Sequence, residues 1–313
     1  MEPIHGITFA PFPMRGVLGS EDAKKSLDAL VARTGAGHII LTPAGIQDTP
    51  HSEHIDFSGD RTPSDDELTA FIKYAQSAGL QVILKPTVNC KDGTWRAFIN
   101  FFDKDVPCEP KWNKWFASHE AFQLHYARIA EETGCALFIL GCEMVMAERR
   151  ADKWRDLVAK TKRVFSGPVS YNTDKYQEEC VTWWDCVDVI SSSGYYPSGS
   201  WETELDRIEG VVTRFKKPFF FAETGCMSVA GASRVPNDWT LTQNAADTAE
   251  QAAWYREMFA HTSKRPWVGG YGLWSWGASL YAEADAAADK GYDFYGKSAE
   301  GVVREYFSGK VRD

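Results

Sequence analysis

Pro218-Phe219-Phe220-Phe221-Ala222-Glu223-Thr224-Gly225 is a short, unalternated apolar run that ends on a carboxylate and a glycine. Such a run reads as a strand covered on both faces, as in a parallel α/β sheet, that delivers one acid to the surface at its end. The stretch Cys135-Ala136-Leu137-Phe138-Ile139-Leu140-Gly141-Cys142-Glu143 has the same form, and helical patterns bracket both. Strands alternating with helices predict a (β/α)8 TIM barrel, whose sites form at the carboxyl ends of the strands. Glu143 and Glu223 are therefore expected to converge over one mouth.

The remaining elements extend the pattern. Residues 6–12 form strand one, and Ser20 with Glu21 and Asp22 behind it opens a helix. Residues 38–43 form strand two, and Ser64 and Glu67 make a capping box for a helix that runs to Gly79. Strand three covers 81–89 and carries Lys85 and Asn89 near its end. Helices are expected over 119–133 and 153–165, strands over 169–172, 187–191 and 269–276, with Tyr195 and Tyr196 just past strand six. The aromatic-rich stretch after strand three, with Trp95, Trp112 and Trp115, is long enough to predict a functional loop walling a cleft. Residues 47–60 hold His51, Glu53, His54 and Asp56. No helix fixes the two histidines at ligand spacing, so a solvated loop is expected there in place of a metal centre.

A net charge of -9 and a pI near 5.4 argue against a nucleic-acid partner, whose phosphates need clustered Lys and Arg. With 44% hydrophobic content over 313 residues, one large core is available. Without a linker or internal repeat, a single domain over 1–313 and a monomer are expected. Met1-Glu2-Pro3-Ile4-His5-Gly6 enters strand one without a basic and apolar leader, so neither a signal peptide nor a membrane span is expected. Seven cysteines, an odd number without CxxC spacing, suit reduced thiols and a cytoplasmic location.

Hydrolysis of a glycosidic bond needs a proton on the leaving oxygen and an anion or activated water at the anomeric carbon, which two carboxyl groups supply. The acid has to hold its proton near neutrality, a state that burial and a second carboxylate favour. Glu143, after the apolar Phe138-Ile139-Leu140, takes that role. Glu223 becomes the nucleophile, kept ionised by donors among which Tyr195 or Tyr196 is within reach. Neither a metal nor a cofactor is required. Lys85 supports a different reading, since a buried lysine at a barrel strand end can form a Schiff base. That leaves the paired acids unexplained, and a barrel that only binds sugar leaves their presence without a purpose.

Taken together, the chain resembles the clan A glycoside hydrolases, with the acid/base Glu after strand four and the nucleophile Glu after strand seven. More narrowly it looks like glycoside hydrolase family 113. The features are Phe138-Ile139-Leu140-Gly141-Cys142-Glu143, Val169-Ser170-Tyr171-Asn172, Lys217-Pro218 through Glu223-Thr224-Gly225, Leu273-Trp274-Ser275-Trp276 and Gly296-Lys297-Ser298-Ala299. The resemblance implies a retaining hydrolase of β-1,4-mannosides, with an oligosaccharide as its partner; a clan A enzyme for β-glucan or xylan oligosaccharides is the alternative. One position departs from the clan, where an Asn that binds the sugar 2-hydroxyl usually precedes the acid/base. Here it is Cys142, so Asn89, Asn172 or Lys85 is expected to supply that contact. The resemblance also implies that Trp274 lies under the sugar beside the scissile bond, with Trp201, Trp95 and Tyr196 as candidates for neighbouring subsites.

Overall fold

The computed structural model describes residues 2–309; Met1 and the last four positions of the expected 1–313 domain lie outside the described residues. Ten strands occur among them: β1 (Ile4–Phe9), β2 (His38–Leu41), β3 (Ala44–Gln47), β4 (Gln81–Leu84), β5 (Thr87–Cys90), β6 (Leu137–Cys142), β7 (Val169–Thr173), β8 (Val189–Ser193), β9 (Phe219–Thr224) and β10 (Val268–Trp276). Eight of these close into a parallel barrel in the order β1-β10-β9-β8-β7-β6-β4-β2. The expected (β/α)8 barrel is thus the fold. Its helices are α1 (Glu21–Thr34), α2 (Asp65–Ser77), α3 (Trp112–Thr133), α4 (Ala151–Thr161), α5 (Trp201–Phe215), α6 (Thr248–Thr262) and α7 (Ser298–Phe307). Ser20 caps α1 through the Ala23 N–H, and the Ser64–Glu67 capping box opens α2.

Period-two alternation builds the core. Ile4, Ile40, Ile83, Leu137, Ile139, Val189, Phe220 and Ala222 fill the barrel interior, while Phe219 and Phe221 turn outward against the helices. Full burial of each of these side chains larger than Ala222 contributes about 1.5–3 kcal/mol. Three segments differ from the sequence reading. The expected third strand, 81–89, splits because Pro43 and Pro86 offer no N–H to a ladder. Beyond these prolines the two chains pair again as β3 and β5, a two-stranded parallel sheet. Secondly, α3 begins seven residues before the expected helix, and it takes Trp112 and Trp115 into the core instead of a cleft wall. Thirdly, no α-helix separates β7 from β8. A single 3-10 turn, Trp184–Cys186, lies there, and Trp183 covers the barrel by stacking on Trp154 with centroids 5.1 Å apart.

Residues 47–60 carry no common centre. His51 bonds the Asn100 carbonyl, Glu53 accepts the Lys111 N–H, and Asp56 accepts from Ser58. Among the described residues no helix is long and apolar enough to cross a membrane.

Candidate active site

A slip in strand register aims Glu223. Phe220 and Ala222 point into the barrel, so strict alternation would send Thr224 inward next and Glu223 outward. Between β8 and β9 the pairing jumps from Ser192↔Phe221 to Ser193↔Glu223. The extra residue, Ala222, reverses the alternation, as bulges beside functional sites do, and Glu223 turns into the mouth. Glu143 continues the inward series of Leu137 and Ile139, past Gly141 at φ 129°, and is itself left-handed at φ 51°. At Gly141 the Trp154 and Tyr171 rings lie 3.2 Å from where a Cβ would stand, so only glycine fits.

The two acids lie at the base of a cleft of about 590 Å³, walled by Phe12, Trp95, Tyr195, Trp239, Trp274 and Tyr292. Both are more than nine-tenths buried. One carboxylate oxygen of each, together with the Cys142 sulfur, lies within 4.8 Å of the others. Each acid has its own fixed cation: Lys85 Nζ is 2.7 Å from Glu223 Oε2, and Arg96 Nη1 is 2.8 Å from Glu143 Oε2. These cations already occupy the charge that a metal ion would need.

The Tyr195 hydroxyl also donates to Glu223 Oε1, at 2.8 Å. Burial by itself would push the Glu223 carboxyl up, but Lys85, Arg96 and Tyr195 together outweigh it and hold it below the ordinary carboxylate range. Glu143 receives the Trp95 indole N–H at 3.1 Å on Oε2 and the Ser193 hydroxyl at 2.7 Å on Oε1. Asp174, on the same wall, is pushed up to about 7 by burial and by the nearby Glu143 charge.

Several expected contacts fall differently. Lys85 is fully buried behind Glu223 and bonds Asn172 Oδ1 and the Ala222 carbonyl, so it faces the acid and not the cleft. Burial would lower its pKa, but Glu223 more than reverses this. The ammonium has no lone pair to offer a carbonyl, which removes the Schiff-base reading. Asn172 is likewise buried, with both amide protons engaged by Thr173 O and Ser193 Oγ, so it does not meet a sugar. Of the three candidates for the 2-hydroxyl contact, Asn89 lines the cleft, its Oδ1 accepting from Arg96 at 3.0 Å. Tyr196 points away from the cleft, donating to Glu178 at 2.5 Å, and Trp201 packs against Tyr196, Phe221 and Trp254 in the helix layer. Neither forms a subsite. Trp274 and Trp95 do line the cleft, Trp274 beside Phe12 and 5.7 Å from Lys85 Nζ. Sequence reading misses Arg96 and Ser193, although Arg96 directly follows Trp95 in the stretch singled out as a wall.

Replacing Lys85 by Met removes the largest charge holding Glu223 ionised. The Glu223 pKa should then rise, so the acid limb of kcat/KM moves to higher pH. A pH–rate profile whose acid limb coincides with wild type would show that Lys85 does not set this charge.

A closed parallel barrel with two buried, cation-paired carboxyl groups this close together at its mouth has the architecture of a barrel glycosidase. Glycoside Hydrolase Family 113 matches residues 7–297, and the chain belongs to that family. A family 113 β-1,4-mannanase of known structure, solved as a complex, is 52% identical, with a TM-score of 0.97 over 98% of this chain and 99% of that one. The β-mannanase AaManA from Alicyclobacillus acidocaldarius, in complex with ManMIm, is 38% identical, with a TM-score of 0.95 over 99% of each chain. The β-glucuronidase of Faecalibacterium prausnitzii shares the fold alone: 15% identity and a TM-score of 0.64 over 98% of this chain and 49% of that one. No curated protein matches the chain.

Proposed function

We propose that this family 113 hydrolase is a retaining β-1,4-mannanase, with Glu223 as nucleophile and Glu143 as general acid and then base. The observation that carries the mechanism is the separation of the acids. One oxygen of each acid within 4.8 Å of the other suits the roughly 5 to 5.5 Å spacing of retaining enzymes better than the about 6.5–9.5 Å at which an inverting pair stands. The mannan preference is supported by the 52% and 38% identical β-1,4-mannanases that match along nearly the whole chain.

Glu223, kept anionic by Lys85 and Tyr195, attacks the anomeric carbon as Glu143 passes its proton to the leaving glycosidic oxygen. The C–O bond breaks with its electron pair on that oxygen, and a glycosyl ester forms on Glu223. Glu143, now a carboxylate, takes a proton from water, which attacks the same carbon and frees Glu223. Trp274 is the apolar platform under the sugar at the scissile bond, with Asn89 as the partner of its 2-hydroxyl. The barrel closes, and both acids with their cations are supplied, within one chain, which supports one catalytic domain over 1–313; the state we propose for it is a monomer. The unpaired cysteines suit the cytoplasm, and imported manno-oligosaccharides as substrate.

A ladder of manno-oligosaccharides beside cello- and xylo-oligosaccharides, followed by NMR, tests the reading. The manno series should be cleaved, with the β-anomer as the first product. Initial release of the α-anomer would reject retention, and cleavage confined to the gluco or xylo series would reject the substrate.

A further inference from the structure

A one-way chain of hydrogen bonds runs behind the two acids. Lys85 Nζ, bound to Glu223, also lies 3.3 Å from Asn172 Oδ1. Asn172 Nδ2 donates to Ser193 Oγ at 3.1 Å, and Ser193 Oγ lies 2.7 Å from Glu143 Oε1. Lys85, Asn172 and Ser193 are all completely buried, so water cannot substitute for any link.

The direction of the chain is fixed by what each group has to give. An ammonium only donates, so the carbonyl end of the Asn172 amide faces Lys85. Its NH2 end then faces Ser193, with the Thr173 carbonyl taking the other proton at 2.8 Å. Ser193 has one proton and already accepts one, so its own proton goes to Glu143 Oε1. The Asn172 main-chain carbonyl holds the same acid from another side, accepting the Glu143 N–H at 2.7 Å.

Oε1 of Glu143 is thereby kept as an acceptor. Oε1 is thus tied to the barrel wall behind the site, while Oε2 meets the Trp95 and Arg96 donors that line the cleft. We propose that Ser193, oriented by Asn172 and Lys85, is a positioning residue that fixes the rotation of the Glu143 carboxyl, and so the aim of the group that protonates the leaving oxygen. The same lysine that holds the nucleophile thus sets the orientation of the acid. The inference rests on the assignment of Glu143 as general acid. The charged groups around Glu143 are Arg96, Lys85, Glu223 and Asp174, and none of them is altered in the test.

The test compares a substrate that needs protonation with one that does not. On mannotetraose, Ser193→Ala should lower kcat/KM by roughly 10- to 100-fold, a part of the 10²–10⁴ that general acid catalysis supplies. On 2,4-dinitrophenyl β-mannobioside, whose leaving group departs as a stable anion, kcat/KM should stay within about threefold of wild type. Ser193→Thr, which keeps the hydroxyl, should restore mannotetraose cleavage. Ser193→Val, nearly isosteric with the Thr variant but without the hydroxyl, should repeat the Ala pattern and carries the test if Ser193→Ala does not fold. Equal losses on both substrates would mean a structural role only, and no loss on either would mean none; both overturn the proposal. Glu143→Ala is the control: if it does not separate the two substrates, the acid assignment itself has failed and the inference falls with it.

Discussion

Glu223→Ala should lower kcat on mannotetraose by on the order of 10⁵-fold, the scale expected when the nucleophile of a covalent mechanism is removed. Added azide should restore part of the activity and be consumed as it does so. Truncation empties a carboxylate-sized space that Lys85 and Tyr195 still line with donors, and a small anion fits there. Attack from that side, without a glycosyl-enzyme stage, gives the α-mannosyl azide. Folding is the competing concern, because Lys85 loses its counter-charge, and a broken buried pair costs about 3–5 kcal/mol. Glu223→Gln, which keeps an acceptor for Lys85, separates the two effects: it should be equally inactive but melt closer to wild type. Appreciable turnover by either variant in the absence of an added anion would exclude Glu223 as nucleophile.

Glu143→Ala should show the second-largest effect, a loss of about 10²–10⁴ on mannotetraose. Its loss should be far smaller in the glycosylation step of a dinitrophenyl mannoside. The intermediate then waits for water with no base to activate it, so azide should accelerate turnover and give the β-mannosyl azide. The two variants are expected to yield opposite anomers. Opposite assignment of the products would exchange the roles of the acids, and a single anomer from both would remove the double displacement.

The parts of this site that are legible in the sequence are those whose signal is local. The apolar runs ending at Glu143 and Glu223 announce buried strands, because few other structures bury that many consecutive residues. What could not be read was direction. Tyr195 and Tyr196 are adjacent, and only the backbone beyond β8 decides that the first meets Glu223 and the second meets Glu178. Lys85 and Asn172 stand beside the acids but behind them and not in the cleft, since depth below the cleft floor depends on the packing of β4, β7 and β9 together. Trp201 shows the limit of composition: a tryptophan at a helix start has the same sequence whether it meets a sugar or, as here, Phe221 and Trp254. Arg96 and Ser193 reach Glu143 from sequence separations of 47 and 50. No local pattern links residues so far apart.

Lys85 has one more consequence for turnover. Esterification neutralises Glu223, and for the lifetime of that ester a fully buried ammonium keeps only neutral oxygens, those of Asn172, Ala222 and the ester itself, as partners. Breaking the ester returns its anion. On the proposed mechanism the fixed cation therefore opposes accumulation of the intermediate and favours its release, so the lysine that keeps the attacking group available also limits how long the sugar stays attached.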